Sequence, residues 1–268
     1  QPEHINLGGF CMLDKRIGAQ LYTLRDYCTT IEDYEKTCKK LKDIGYKMIQ
    51  ISAVGPKDGA MLKSIADKYG LEPTLTHCSN DNYLKEIDWV VKYHNELGCK
   101  IAGLGAMPNL NDVTPEEVHN FAAKFNVISS LLKEKGLTFA YHNHDVEYRK
   151  TGDKTYFDII LEETDPDCFK LIFDTYWAYR AGVNPADFIR KHKGRIICVH
   201  LKDMVVMPDG EVRMAPVGDG EIDWDDIISA CNESGVQYAY VEQDLCYDDD
   251  PFECMKRSYE YLTKKGFC

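Results

Sequence analysis

Eight times along this chain a short apolar run gives way to a stretch with helix signals, and that rhythm limits the possible folds more than any other feature. The apolar runs cover residues 17–22, 47–52, 72–77, 100–104, 137–141, 169–174, 195–201 and 238–242. The helical stretches have recognisable ends. Thr30 caps a run that stops at Gly45, and the stretch 57–69 stops at Gly70. Residues 83–97 stop at Gly98, and Thr114-Pro115-Glu116-Glu117 opens a helix that runs to Lys135, before Gly136. Asn184-Pro185 opens another, and 155–163, 224–234 and 251–265 complete the series. Polar caps, proline at the first helical position and glycine at the end are the expected punctuation. Alternating strands and helices pack as a parallel sheet with helices outside. Eight such units in 268 residues match one (β/α)₈ barrel of roughly 250 residues. An open doubly wound sheet would be expected to carry a glycine-rich phosphate loop after its first strand, and Gln20-Leu21-Tyr22-Thr23-Leu24-Arg25 contains no glycine. The expected fold is therefore α/β, a single (β/α)₈ barrel over residues 17–268. Residues 1–16 match no barrel element and read as an N-terminal arm.

Composition narrows the function. A net charge of −12 disfavours nucleic acid, which calls for a basic face. No segment approaches the ~20 apolar residues that cross a bilayer, and the first residues lack the basic and apolar regions of a secretory signal. The 11 cysteines are odd in number and show no CxxC or CxxH spacing, so neither a zinc knuckle nor a redox motif is expected. Cys38, Cys198 and Cys231 read as small core residues, and free thiols at this density suit the cytoplasm.

The strand ends carry the chemistry. The fifth apolar run opens into His142-Asn143-His144-Asp145-Val146-Glu147, the sixth ends on Asp174, the seventh on His200 followed by Leu201-Lys202-Asp203, and the eighth on Glu242. Acids and imidazoles at the C-terminal ends of barrel strands converge on the barrel mouth. Asp174 also has the position of a helix cap, and a lone histidine such as His200 is as readily a core residue. A carboxylate such as Glu242 at the end of an apolar strand needs a cation or donors. Glu147, Asp174, His200 and Glu242 together would make a hard, oxygen-rich site suited to manganese, magnesium or cobalt, with zinc less natural. His142 in place of Glu147 gives a softer alternative. Strand alternation puts His142 and His144 on one face if the strand continues that far. His4, His94, His119 and His192 lie in the arm or on helices and read as surface residues.

The pieces 17–25, 50–52, Thr76-His77, 141–148, 174–177, 200–203, 217–224 and Glu242 together resemble the sugar phosphate isomerase/epimerase family. These are the xylose-isomerase-like TIM barrels that also include inosose dehydratase. The resemblance implies one divalent metal ion, with Mn²⁺ preferred and Mg²⁺, Co²⁺ or Zn²⁺ as alternatives, held by Glu, Asp, His and Glu at the barrel mouth. It also implies a small carbohydrate substrate: a ketose, a cyclitol or an oxidised sugar. The chemistry implied is removal of a proton next to a carbonyl, with His144 as the preferred base and His142 and Lys202 assisting. Tyr22, Gln50, His77 and Trp177 are expected to face the substrate. An isomerase or epimerase is the first expectation. The family's epimerases usually present a glutamate where this chain has His142, and that moves weight towards dehydratases and lyases acting on inososes or 3-oxo-glycosides. An apurinic endonuclease and a non-catalytic barrel subunit are the remaining alternatives. The segment 217–224 reads either as a glycine turn with Asp223 capping the next helix or as part of the pocket. The long loop 204–216 suggests a homo-oligomer or a complex with a second subunit.

Overall fold

The computed structural model describes residues 13–268. Most of the expected arm, including His4, lies outside the described residues. Its last residues are tied beneath the barrel: Asp14 N–H donates to the Gln237 carbonyl, and Cys268 N–H donates to that of Lys15.

Eight parallel strands form a closed barrel: Gly18–Gln20, Met48–Ile51, Glu72–Cys78, Ile101–Leu104, Thr138–His142, Phe169–Asp174, Ile196–Leu201 and Tyr238–Val241. Each pairs with its neighbours in the chain, and the last closes on the first through Gly18 opposite Tyr240. The fold is a single (β/α)₈ TIM barrel. Alternation along the strands separates two apolar layers. Met48, Leu75, Ile101, Ala140, Ile172, Cys198 and Tyr240 fill the interior. Ile49, Ala102, Phe139, Leu171, Val199 and Ala239 face outward and join the core beneath the helices. That outer layer includes a stack of Phe121, Phe125, Phe139 and Phe169, each worth roughly 1.5–3 kcal/mol when fully buried.

The helices begin where the caps predict. Thr30, Thr114, Thr155, Asn184 and Asp223 each accept a backbone N–H of their helix's first turn. Three segments differ from the sequence reading. The stretch 83–97 is two helices, Asn80–Lys85 and Ile87–Leu97, because a Ser79–Asn82 capping box starts the first turn early and Glu86 breaks the helix. A short helix, Thr175–Arg180, follows the sixth strand directly, capped by Asp174. The loop 204–216 folds as a hairpin of Asp203–Val206 and Val212–Ala215.

His94, read as a surface residue, is fully buried. The buried face of its helix is Val90, Tyr93, His94 and Leu97, the i, i+3, i+4, i+7 stripe of an amphipathic helix. Its Nδ1 lies 2.7 Å from the Val90 carbonyl and its Nε2 2.8 Å from the Thr76 hydroxyl, so both ring nitrogens are satisfied. His119 is exposed and pairs with Glu163, while His192 packs on Phe188. All described cysteines are free thiols, and all except Cys268 are buried. Among the described residues no helix is long and apolar enough to cross a membrane.

Candidate metal centre

The site is the next inward-facing row of the barrel. Two residues beyond the interior apolar layer, the strands present Gln50, His77, His142, Asp174, His200 and Glu242, and Gln20 stands two residues beyond Gly18. The fourth strand contributes Gly103 to this row, and the gap admits an imidazole. A Cβ at Gly103 would lie 3.0 Å from His77 Cδ2 and 2.2 Å from the Thr76 carbonyl oxygen.

His142, Asp174, His200 and Glu242 each offer one ligand atom, and these atoms all lie within 4.8 Å of one another. All four residues are buried. Asp174 does two jobs: Oδ1 accepts the Trp177 N–H as a helix cap at 3.0 Å, while Oδ2 faces the cluster 3.1 Å from His142 Nε2. His142 Nδ1 is 3.1 Å from the Gly105 carbonyl, an acceptor that calls for a proton on Nδ1 and turns Nε2 inward. His200 is oriented by Gln50, whose Oε1 sits 2.7 Å from Nε2. Its Nδ1 then faces Glu242 Oε2 at 2.9 Å, and both atoms lack an aligned hydrogen-bond partner. Two buried acceptors turned toward each other fit a cation between them. The donor set of two imidazoles and two carboxylates suits manganese, cobalt or zinc better than magnesium.

Glu147 does not join this group. Its carboxylate accepts from the Tyr141 hydroxyl and from the His144 backbone N–H, the latter at 2.7 Å. Tyr141 faces outward from the strand, away from His142, so the turn after His144 carries Glu147 into the layer between strand and helices. The softer alternative, with His142 in place of Glu147, is the arrangement that the structure brings together. The strand ends at His142, so His144 belongs to the following loop rather than to the strand face. Its ring still lies 4.9 Å from that of His142 and 5.3 Å from Trp177. Asn143 Oδ1 accepts the Asp174 N–H and fastens this loop to the sixth strand.

Lys202 is fully buried beside the cluster. Its Nζ lies 2.9 Å from Asp174 Oδ2, 2.9 Å from Glu242 Oε2, and 3.0 and 3.1 Å from the two oxygens of Asp244. One ammonium shared among three carboxylates leaves the site short of positive charge. Burial pushes the Asp174 carboxyl upward, but Lys202 and His142 outweigh it and hold the group down at about 2. Burial pushes Glu242 upward too, but Lys202 and His200 outweigh it and keep the group well below the usual carboxylate range. Asp244 is pushed up to about 6 by burial, which the Lys202 charge only partly offsets. Burial holds His144 down at about 3, aided by the positive charges of His142 and Lys202. It also holds His77 well below its ordinary value, so both rings are neutral near pH 7.

The remaining expected residues line or rim this mouth. His77 stacks 5.4 Å from His142 and 5.7 Å from His200. Trp177 lies 5.7 Å from Lys202 Nζ, with its indole N–H buried and unpartnered. Tyr22 stands at the outer rim, 37% exposed, with its ring against Arg25. Gln20 Nε2, Gln50 Nε2, Asn143 Nδ2, His77 Nε2 and His144 Nδ1 are further buried atoms without partners. Gln20 and Asp244 are not among the residues expected from the sequence. Gln20 stands two residues before Tyr22 and Asp244 two residues past Glu242, and that spacing is the signal that would have found them.

Asp203 accounts for the segment 217–224. Its carboxylate accepts from the backbone N–H groups of Met204, Gly218, Gly220 and Ile222 and from the Trp224 indole. A Cβ at Gly220 would sit 2.2 Å from Asp203 Oδ1, so glycine is required there. The segment is an anchored turn, and Asp223 caps the next helix as expected.

Comparison with known proteins agrees with this fold. The inosose dehydratase of Geobacillus thermodenitrificans is 29% identical over 268 residues, covering 86% of this chain and 89% of that protein. A sugar phosphate isomerase/epimerase from Parabacteroides distasonis superposes with a TM-score of 0.76 at 20% identity, covering 96% of this chain and 94% of that one. A probable 3-DHS dehydratase from Bacillus anthracis gives 0.70 at 14% identity, covering 92% and 98%. At these identities the two structures speak for the fold alone. Residues 38–264 match the family described as xylose isomerase-like TIM barrel, and the chain belongs to that family.

Proposed function

We propose that this chain is a divalent-metal-dependent enzyme that removes a proton beside the carbonyl of a cyclitol, ketose or oxidised sugar and then expels a β-substituent, as in dehydration of an inosose. The observation that carries the reading is the buried cluster of His142, Asp174, His200 and Glu242, with His200 Nδ1 facing Glu242 Oε2 at 2.9 Å and the imidazole of His144 beside it. Elimination is favoured over isomerisation by the inosose dehydratase relatives.

His142, Asp174, His200 and Glu242 would hold the ion, with Mn²⁺ as the first choice. A divalent ion in such a site supplies Lewis-acid polarisation of a substrate carbonyl. His144, with a buried and unpartnered Nδ1, accepts the substrate proton, a role typically worth ~10²–10⁴-fold. Gln20 Nε2, Gln50 Nε2, Asn143 Nδ2 and the Trp177 indole N–H are free to donate to sugar hydroxyls. The Trp177 ring supplies an apolar wall, and Lys202 donates to a substrate oxygen.

A second reading, isomerisation or epimerisation, is favoured by His77. This second imidazole, with an unpartnered Nε2, is placed to relay a proton to the substrate, taking one up at one ring nitrogen as it gives one up at the other. Incubation with Mn²⁺ and a panel of ketoses, inososes and 3-oxo-glycosides in deuterated water separates the outcomes. Loss of water from an inosose supports the first reading and isomer formation the second. Absence of both conversion and deuterium exchange across the panel rejects the two together.

We also place the chain in the cytoplasm, in a homo-oligomer or a complex with a second subunit. The support is the set of free, mostly buried thiols and the hairpin after the seventh strand, which presents Val206 and Val212 to solvent. Light scattering that finds a fully active monomer contradicts the assembly.

A further inference from the structure

Lys202 contacts the same two carboxylate oxygens that the cluster offers to an ion. Its ammonium lies 2.9 Å from Asp174 Oδ2 and 2.9 Å from Glu242 Oε2, atoms that also face His142 and His200. Its aligned hydrogen bonds run elsewhere, to both oxygens of Asp244 at 3.0 and 3.1 Å. The lysine is held in place from behind. Its backbone N–H donates to the Thr175 hydroxyl, and its side chain is 1% exposed against the Trp177 ring. Asp244 follows the eighth strand, two residues past Glu242, and Arg25 Nη1 holds its carbonyl at 3.0 Å. The ammonium thus stands between two sets of carboxylates, one that the cluster presents to an ion and one that it does not.

We propose that Lys202 is a built-in competitor for the metal and that Asp244 is its holding group. The ammonium and the ion share Asp174 and Glu242, and Asp244 draws the lysine aside so that both cations fit in one buried mouth. This rests on the metal-site reading above. The physical basis is that a monovalent and a divalent cation in contact with the same oxygens repel strongly in a poorly solvated site. Removal of either partner should therefore move metal affinity in opposite directions. Without Lys202 the carboxylates are left to the ion alone. Without the Asp244 charge the ammonium leans harder on Asp174 and Glu242.

The test is Mn²⁺ affinity of the full chain by calorimetry, together with melting of the chelator-treated protein, for wild type, K202M and D244N. K202M should bind Mn²⁺ roughly tenfold or more tightly than wild type, and D244N roughly threefold or more weakly. Chelated K202M should also melt below chelated wild type and recover on addition of Mn²⁺, because it buries uncompensated carboxylates. Unchanged or weaker Mn²⁺ binding by K202M overturns the assignment, as does D244N moving in the same direction as K202M. If K202M does not fold, D244N alone decides: weaker binding supports the assignment, while unchanged or tighter binding overturns it. Failure of both wild type and K202M to bind Mn²⁺ rejects the metal site together with this inference. Tight wild-type binding with an unresponsive K202M rejects the inference only.

Discussion

Gln50 Oε1 lies 2.7 Å from His200 Nε2 and thereby fixes which nitrogen of that ring faces the cluster. The amide oxygen accepts a proton only from Nε2, so Nδ1 is left as a lone pair aimed at Glu242. The contact joins the second strand to the seventh across the barrel. Replacing Gln50 with leucine should keep the fold and free the His200 tautomer. Such supporting contacts are typically worth 10–100-fold in metal affinity, so roughly that loss of Mn²⁺ binding is expected in Gln50→Leu. Titration of the variant with Mn²⁺ checks it, and wild-type affinity would show that Gln50 does not orient the ring.

Glu242 stands above a complete apolar layer, so its removal should empty the site without opening the core. Glu242→Ala is expected to lose Mn²⁺ binding while its far-UV circular dichroism and melting temperature stay close to those of wild type. A large fall in stability would show instead that the carboxylate is part of the folding core.

His144 and Glu147 separate by role. His144→Ala should retain Mn²⁺ and lose solvent-proton exchange into substrate by roughly 10²-fold or more. Glu147→Ala should also retain Mn²⁺, because its carboxylate serves Tyr141 and the His144 backbone rather than the cluster. Its expected effect is a loss of stability of about 1–3 kcal/mol from the stranded partners. Loss of metal in Glu147→Ala with retention in His142→Ala would restore the arrangement first expected from the sequence.

His94 makes stability depend on pH. Burial holds its pKa at about 4, against an ordinary 6.5, so the unfolded chain takes up a proton that the folded one refuses. Stability from this group is complete above the unfolded value of 6.5 and is lost as pH falls towards 4. The loss amounts to about 2 kcal/mol between pH 6.5 and 5, at ~1.4 kcal/mol per unit. Urea unfolding of wild type and His94→Gln at pH 7 and pH 5 measures it. An equal pH dependence in both proteins would assign the loss to other groups.

The barrel and half of its site follow from the sequence by itself. Each run stays nearly continuously apolar until its C-terminal end, and a polar residue there marks the barrel mouth. That rule suffices to place Asp174, His200 and Glu242. Other features depend on tertiary placement. Whether Glu147 joins His142 at the cluster turns on the path of the chain beyond the strand, which periodicity does not reach. The strand stops at His142, and the turn beyond it sends Glu147 to Tyr141. Lys202 reads from the sequence as a pocket residue, but only the fold shows that Asp174, Glu242 and Asp244 converge on its buried charge. Gln50 reads from the sequence as facing the substrate, and only the fold shows that it meets His200, 150 positions away, across the barrel. Periodicity is local and therefore legible, whereas the partner of a buried charge is chosen by contacts between strands distant in the chain.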